Sequence, residues 1–276
     1  MKTIAILGTG PAGLMAAHAA SVMGVQFSLF GLPDVNRHVV KSTIGGAQFL
    51  HRAVPGISYE QEPDMMIRYR KRGTSEGYRA KVYGTNEVPF VSFDNVQDGE
   101  TVPAWSLHAV YENLWNGICG PSGHSVNALR VTPETLGEWF ERSLWDLVIC
   151  TIPRPSMCRT YNGSMDARAH AFQSQTIHIC GEDMGAGMNE VVYNGDPEQS
   201  WYRTSNMGGI ISTEWGEQAP PSYLKTYPIK KPIWHDCSCW QDEPIVFAGR
   251  YGEWRKGVLV HDAFVTAFKA IEELVR

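Results

Sequence analysis

The chain has 276 residues, 43% hydrophobic and 19% charged, with a formal net charge of −5. That length buries a core in one large or two modest domains, and the composition excludes a disordered or fibrous chain. The acidic balance removes a global pull toward nucleic acid but not a local patch. No apolar run approaches the roughly 20 residues of a membrane span. Six cysteines (119, 150, 158, 180, 237 and 239) are too few and too scattered for a disulfide framework. With no secretory pattern before the first strand, a reducing, cytoplasmic setting is expected.

Residues 1–30 read as strand, glycine turn, helix, strand. Thr3-Ile4-Ala5-Ile6-Leu7 suits a buried parallel strand. Gly8-Thr9-Gly10-Pro11-Ala12-Gly13 follows, and the alanine-rich stretch to Met23 has high helix propensity until Gly24 stops it. A glycine-rich turn alone is weak evidence, but a G-x-G-x-x-G between strand and helix favours dinucleotide binding. Gly8 would make the tight turn, Gly10 would admit a pyrophosphate, and Gly13 would let helix and strand pack closely. With Pro11 and Ala12 inside it, the motif resembles that of flavoproteins more than that of nicotinamide dehydrogenases. Such families usually end the second strand with a glutamate that holds the adenosine ribose. Here that place is Gly31, with Asp34 the nearest carboxylate.

A second glycine pair follows in Ile44-Gly45-Gly46-Ala47-Gln48-Phe49-Leu50-His51. Its position resembles the second flavin-adenine dinucleotide (FAD) contact of glutathione-reductase-like flavoproteins, which implies a cofactor role for Gly45, Gly46 and Gln48. His51 reads equally as a residue facing the flavin or as an ordinary hydrogen-bonded histidine.

Arg68-Tyr69-Arg70-Lys71-Arg72 is a dense basic run interleaved with tyrosine. Such a run can hold phosphates or nucleic acid, though a solvated face is the favoured reading. Residues 88–93 and 102–107 alternate as strands, and 111–115 as a short helix. Leu136 to Leu144 has helical spacing, and Asp146 to Thr151 is another buried strand running into Ile152-Pro153. Strands are expected at 176–179, 191–193 and 201–204, with a hairpin turn at Asn194-Gly195-Asp196-Pro197. Pro220, Pro221, Pro228 and Pro232 mark a loop. His235, Cys237 and Cys239 lack the second ligand pair of a zinc ribbon, so no metal is expected. Finally, Ile245 to Ala248 reads as a strand, Gly249-Arg250 opens a glycine turn, and a helix runs from Gly257-Val258-Leu259 to Val275 with one apolar face.

These segments occur in the order found in FAD-dependent flavoproteins of the glutathione-reductase and amine-oxidase type. The Gly-Arg turn before the last helix, with Val192-Tyr193-Asn194 and Tyr202-Arg203, is most similar to UDP-galactopyranose mutase, although the chain is much shorter than a typical mutase. The resemblance implies Arg250 near the FAD pyrophosphate and Gly257, Val258 and Leu259 at the flavin edge. Tyr202 and Arg203 would face the substrate. Segments 46–51, 201–203 and 249–254 are also similar to compact phage flavoproteins of thymine hypermodification.

The expected fold is α/β. A Rossmann-like FAD-binding domain with a parallel sheet takes 1–54, 125–185 and 240–276, and a smaller, mostly antiparallel substrate domain takes 55–124 and 186–239. The expected activity is an FAD-dependent oxidoreductase or lyase on an amine or amino-acid-like group, in the narrowest case an amino-acid adduct on a modified pyrimidine in phage DNA. His51, Tyr202, Arg203 and His261 are the candidates for acid, base or anchor. Nucleic acid would be held through Arg68, Arg70, Lys71 and Arg72. The alternatives are a mutase-like sugar-nucleotide isomerase and a non-catalytic dinucleotide sensor.

Overall fold

A computed structural model of the chain describes residues 2–31, 49–57, 63–83, 92–120, 123–160, 170–216, 220–221 and 223–276. Gly45, Gly46, Gln48 and Asp34 lie outside them. Strand β1 (Ile4–Leu7) is buried along its whole length, as a parallel strand covered on both faces must be. It pairs with β2 (Phe27–Phe30) on one side and β7 (Leu147–Cys150) on the other. β6 (Val126–Asn127) and β13 (Ile245–Phe247) complete an all-parallel sheet of order β13-β7-β1-β2-β6.

Helix α1 (Pro11–Val22) follows β1 through the glycine turn, with Pro11 in its first turn. Leu14, Met15, Ala16, Ala17, Ala19 and Ala20 are all buried, so it is covered on most sides rather than along one stripe. It packs in one core with α3 (Leu107–Cys119), through Val110, Tyr111 and Leu114, and with the last helix, α6 (Val260–Val275), through Ala263, Phe264 and Ala267. The alanines let three helices approach here. The expected helix at 111–115 is thus longer and joins the parallel-sheet half, although residues 107–119 were assigned to the substrate domain.

The second sheet has eight strands in the order β12-β8-β11-β10-β9-β4-β5-β3, antiparallel except for β4 beside β9. Among the described residues it holds more strands than the parallel sheet. The chain enters it twice. After β2 it forms β3 (Phe49–Leu50), β4 (Met65–Gly73), α2 (Ser75–Tyr83) and β5 (Thr101–Ser106), then returns through α3, β6 and helix α4 (Pro133–Glu141) to β7. After β7 and a 3-10 turn it forms β8 (Phe172–Cys180), β9 (Glu190–Gly195), β10 (Trp201–Met207), β11 (Ile210–Trp215) and β12 (Tyr227–His235), then returns to β13. The basic run is a strand, β4, placed inside the sheet with Ile67 and Tyr69 buried and Arg68 and Arg70 exposed. Two expectations need correction. The proline-marked segment is also a strand, β12, at the sheet's edge. Pro228 and Pro232 are four residues apart, so their missing N–H groups fall on one side, which an edge tolerates. β8, within the span assigned to the parallel half, pairs instead with β11 and β12.

The glycine turn has separable demands. A Cβ at Gly13 would overlap the Gly8 carbonyl, whereas one at Gly10 would have no neighbour within 4 Å. Gly13→Ala is therefore expected to destabilise the fold by roughly 1–3 kcal/mol, as overpacking does. Gly10→Ala should cost no more than about 1 kcal/mol, the weaker helix cap. Chemical denaturation of the two variants checks the contrast.

Candidate functional site

Gly8 adopts φ +110°, and its N–H donates to the Phe30 carbonyl at 2.8 Å, closing the turn. Behind it the Thr151 hydroxyl, at the end of β7, donates to the Leu7 carbonyl at 2.8 Å. α1 then begins at Gly10 with no side-chain cap and no acidic residue in its first turn. Its first N–H groups are left for an anion from outside the helix. Gly31, where a ribose-binding glutamate would stand, packs on Thr9: a Cβ there would lie 2.8 Å from Thr9 Cγ2. That contact explains why no side chain occupies the position.

The short helix α5 (Gly249–Glu253) joins this turn to a cavity. Gly249 has φ +75°, and a Cβ on it would approach the Ala12 Cβ to 2.7 Å, so α5 is seated on the start of α1. The next residue, Arg250, lines a cavity of about 670 Å³ whose wall is mostly the antiparallel sheet. Gly257 and Leu259 from the parallel half and His51, Tyr202 and Arg203 from the antiparallel half also line it. Val258 is buried, and His261 is buried on the first turn of α6. Six candidate residues from beyond the glycine turn thus line one cavity, while Val258 and His261 are not in its wall. One detail differs from expectation: the Asp262 carboxylate already accepts the Leu259 N–H at 2.7 Å, so that donor at the start of α6 is not free for a ligand.

The cavity wall carries an ionic cluster in which Glu214 is buried and Arg203 and Lys231 are half-buried. Arg203 and Glu214 face each other across the β10–β11 pair, and their side chains form a short ion pair. Lys231 Nζ, from β12, reaches the other Glu214 oxygen at 2.6 Å. Burial alone would raise the Glu214 pKa, but Arg203 and Lys231 outweigh it and hold the carboxyl down at about 2. Burial depresses Lys231, and Glu214 only partly offsets this, leaving it at about 8. His51 Nδ1 lies 3.3 Å from the Tyr69 hydroxyl. Loss of hydration within the cavity, then the charges of Arg203, His261 and Arg52, bring His51 down to about 4. Burial raises the Tyr69 phenol, which keeps its proton. Near neutral pH the pair is therefore an uncharged imidazole beside an uncharged phenol.

Sequence reasoning missed Tyr69, Glu214 and Lys231 as site residues. Arg203↔Glu214 was legible only through the hairpin register, and Lys231 sat in a segment read as loop. Along β4, Tyr69 and Lys71 share one face while Arg68, Arg70 and Arg72 alternate onto the other. There Arg70 lies 3.5 Å from Glu190, and Arg72 stacks over Trp201. His235 Nδ1 accepts the Cys237 N–H at 2.9 Å. Cys237 and Cys239 instead meet Cys158 and His170, which the sequence did not connect to them.

Two measurements check these electrostatics. Glu214→Gln leaves Arg203 and Lys231 without their counter-charge and is expected to cost roughly 3–5 kcal/mol of stability. Because the folded pKa of Glu214 is depressed, its stabilisation is complete above its ordinary value of 4.5 and is lost as pH falls toward about 2. The variant's unfolding free energy should lack that pH dependence. NMR titration of His51 should give a midpoint near 4 rather than 6.5.

Neither a protein-family model nor a curated protein sequence matches the chain. Solved structures do match its fold. Reduced UDP-galactopyranose mutase superposes with a TM-score of 0.59 at 12% identity, covering 100% of this chain and 96% of that one. The p-nitrophenol 4-monooxygenase PnpA from Pseudomonas putida DLL-E4 superposes with a TM-score of 0.50 at 12% identity, covering 100% and 81%. At such identities the likeness is one of fold.

Proposed function

We propose that the chain is an FAD-dependent oxidoreductase or lyase that acts on an amine or amino-acid-like group. One observation carries this reading: a glycine turn open at Gly10 adjoins, through Gly249 and Arg250, a cavity that His51 and Arg203 line from the other half. The residues fit the cofactor. Position 10 leaves room for a close pyrophosphate, and the start of α1 offers uncapped N–H groups. His261 Nδ1 is buried without a hydrogen-bond partner among the described residues.

Gly8, Gly10, Pro11, Ala12 and Gly13 would hold the pyrophosphate with Arg250, and Gly257, Val258 and Leu259 would border the flavin. Bound FAD supplies a two-electron acceptor for a C–H bond beside nitrogen. The chain's own groups supply binding and proton handling. Arg203, Lys231, Arg250 and Lys256 outnumber Glu214 and Glu100 on the cavity wall, which suits a substrate carboxylate. Neutral His51 can take a proton when its Nδ1–H donates to Tyr69, and can give one when the tautomer is reversed. Tyr202 forms a wall, its phenol filling the space a side chain at Gly216 would need.

The narrower substrate, an amino-acid adduct on a modified pyrimidine in phage DNA, adds phosphate contacts: Lys71 shares the Tyr69 face of β4, whereas Arg68, Arg70 and Arg72 stand on the opposite face and would meet only phosphates that pass around the sheet. If so, Arg68→Ala/Arg70→Ala weakens binding of an aminoacylated oligonucleotide but not of the nucleoside alone; equal binding removes that role. A second reading, a mutase-like isomerase of sugar nucleotides, is favoured by the superposition on the reduced mutase.

Anaerobic spectroscopy separates the readings. Bleaching of the flavin by an amino acid, an amine or an aminoacylated nucleoside is the expected result, and His51→Gln should lower its rate by about 10²–10⁴-fold while flavin content stays constant. Turnover of a UDP-sugar only after dithionite reduction would replace the proposal with the isomerase. No response to either would leave a binding protein.

A further inference from the structure

We propose that Cys158, His170, Cys237 and Cys239 form a structural zinc site that fastens the antiparallel excursion to the parallel sheet. The four donor atoms all lie within 4.8 Å of one another. Cys158 Sγ is 3.6 Å from Cys239 Sγ and 3.3 Å from His170 Nδ1, and Cys239 Sγ is 3.5 Å from the same nitrogen. A tetrahedral zinc with Zn–S near 2.3 Å and Zn–N near 2.0 Å places its sulfurs about 3.8 Å apart and sulfur and nitrogen about 3.5 Å apart. Those three spacings are close to these values and far longer than a disulfide bond, and Cys237 Sγ lies within 4.8 Å of the other donors. Three thiolates and one imidazole select a soft, four-coordinate ion, and a full protein ligand set leaves no open position, the mark of a structural site.

The surroundings suit such a centre. Cys158 and Cys237 are buried, and the charge of −1 left by three thiolates on Zn²⁺ is met by cationic neighbours. Arg154, also buried, donates to the Cys237 carbonyl at 3.2 Å, and Arg159 stacks on Trp240 next to Cys239. Thr160 Oγ1 stands 3.0 Å from His170 Nδ1, so an ion would take over a lone pair that the threonine now shares. The topology gives the site a purpose. Cys158 follows β7 and its 3-10 turn, where the chain leaves the parallel sheet, and His170 stands two residues before β8. Cys237 and Cys239 lie between β12 and β13, where the chain comes back. One ion would tie both crossings together and fix the two halves of the cavity relative to each other. Cysteines 119, 150 and 180 take no part.

The test is metal analysis of protein purified without chelator or immobilised-metal resin. About one zinc per chain is expected, with zinc-edge X-ray absorption showing three sulfurs and one nitrogen. Cys239→Ser and His170→Ala should each release most of the metal, Cys119→Ser none, and stripping with a strong chelator should lower the melting temperature of the wild-type protein. Protein that neither carries nor takes up zinc would overturn the proposal, as would a Cys158–Cys239 disulfide seen as a 2 Da mass loss. Because the absorption spectrum is read on the wild-type chain, a different ligand set there would also refute it even if the variants fail to fold.

Discussion

The structure depends on a close approach of backbone to backbone where β1 turns into α1. The Gly8 carbonyl stands where a side chain at position 13 would project, and the Thr151 hydroxyl fills the space beside Gly8 while bonding Leu7. Only with glycine at both positions can α1 start directly against the end of the central strand. Everything built on α1 inherits that placement: α3 and α6 pack on its alanine faces, and α5 sits on Ala12 through Gly249. The cavity is therefore positioned from the parallel half by contacts only one or two residues removed from this turn.

From the antiparallel half the cavity is fixed by charge. Arg203 is held by Glu214, which Lys231 also engages, and all three come from strands whose register sets their spacing. A carboxylate with two cationic partners keeps them oriented while leaving the wall with excess positive charge. That excess favours an anionic ligand and adds to the burial that keeps His51 neutral. Breaking a cluster built on a buried carboxylate is costly, so these residues couple the stability of the sheet to the character of the site.

Much of the parallel half was legible because its signals are local. The glycine motif, the apolar strand at 147–150 and the one-sided helix at 260–275 each specify themselves within a few residues. The 190–207 hairpin was legible for the same reason, through its turn. What escaped was set by distant partners. The basic run is a strand because Ile67 and Tyr69 alternate inward against β9, a pairing across more than 100 residues. The proline-marked segment is a strand because β8 accepts it at an edge. Tyr69, Glu214 and Lys231 become site residues only once those pairings exist. Cys158 and His170 likewise carry no spacing signal that links them to the Cys-x-Cys 67 residues beyond His170.

The central claim is that the turn at Gly10 receives the diphosphate of a flavin dinucleotide. The most direct measurement is the cofactor content of purified wild-type protein and of Gly10→Val, each released by acid and quantified beside a melting curve. The account predicts stoichiometric FAD in the wild type and almost none in the variant, with the apo-proteins melting within a few degrees of each other, as the loss of about 1 kcal/mol from a weaker helix cap allows. A wild-type protein that is colourless and cannot be reconstituted with FAD, or a Gly10→Val protein that keeps its full complement, would contradict it.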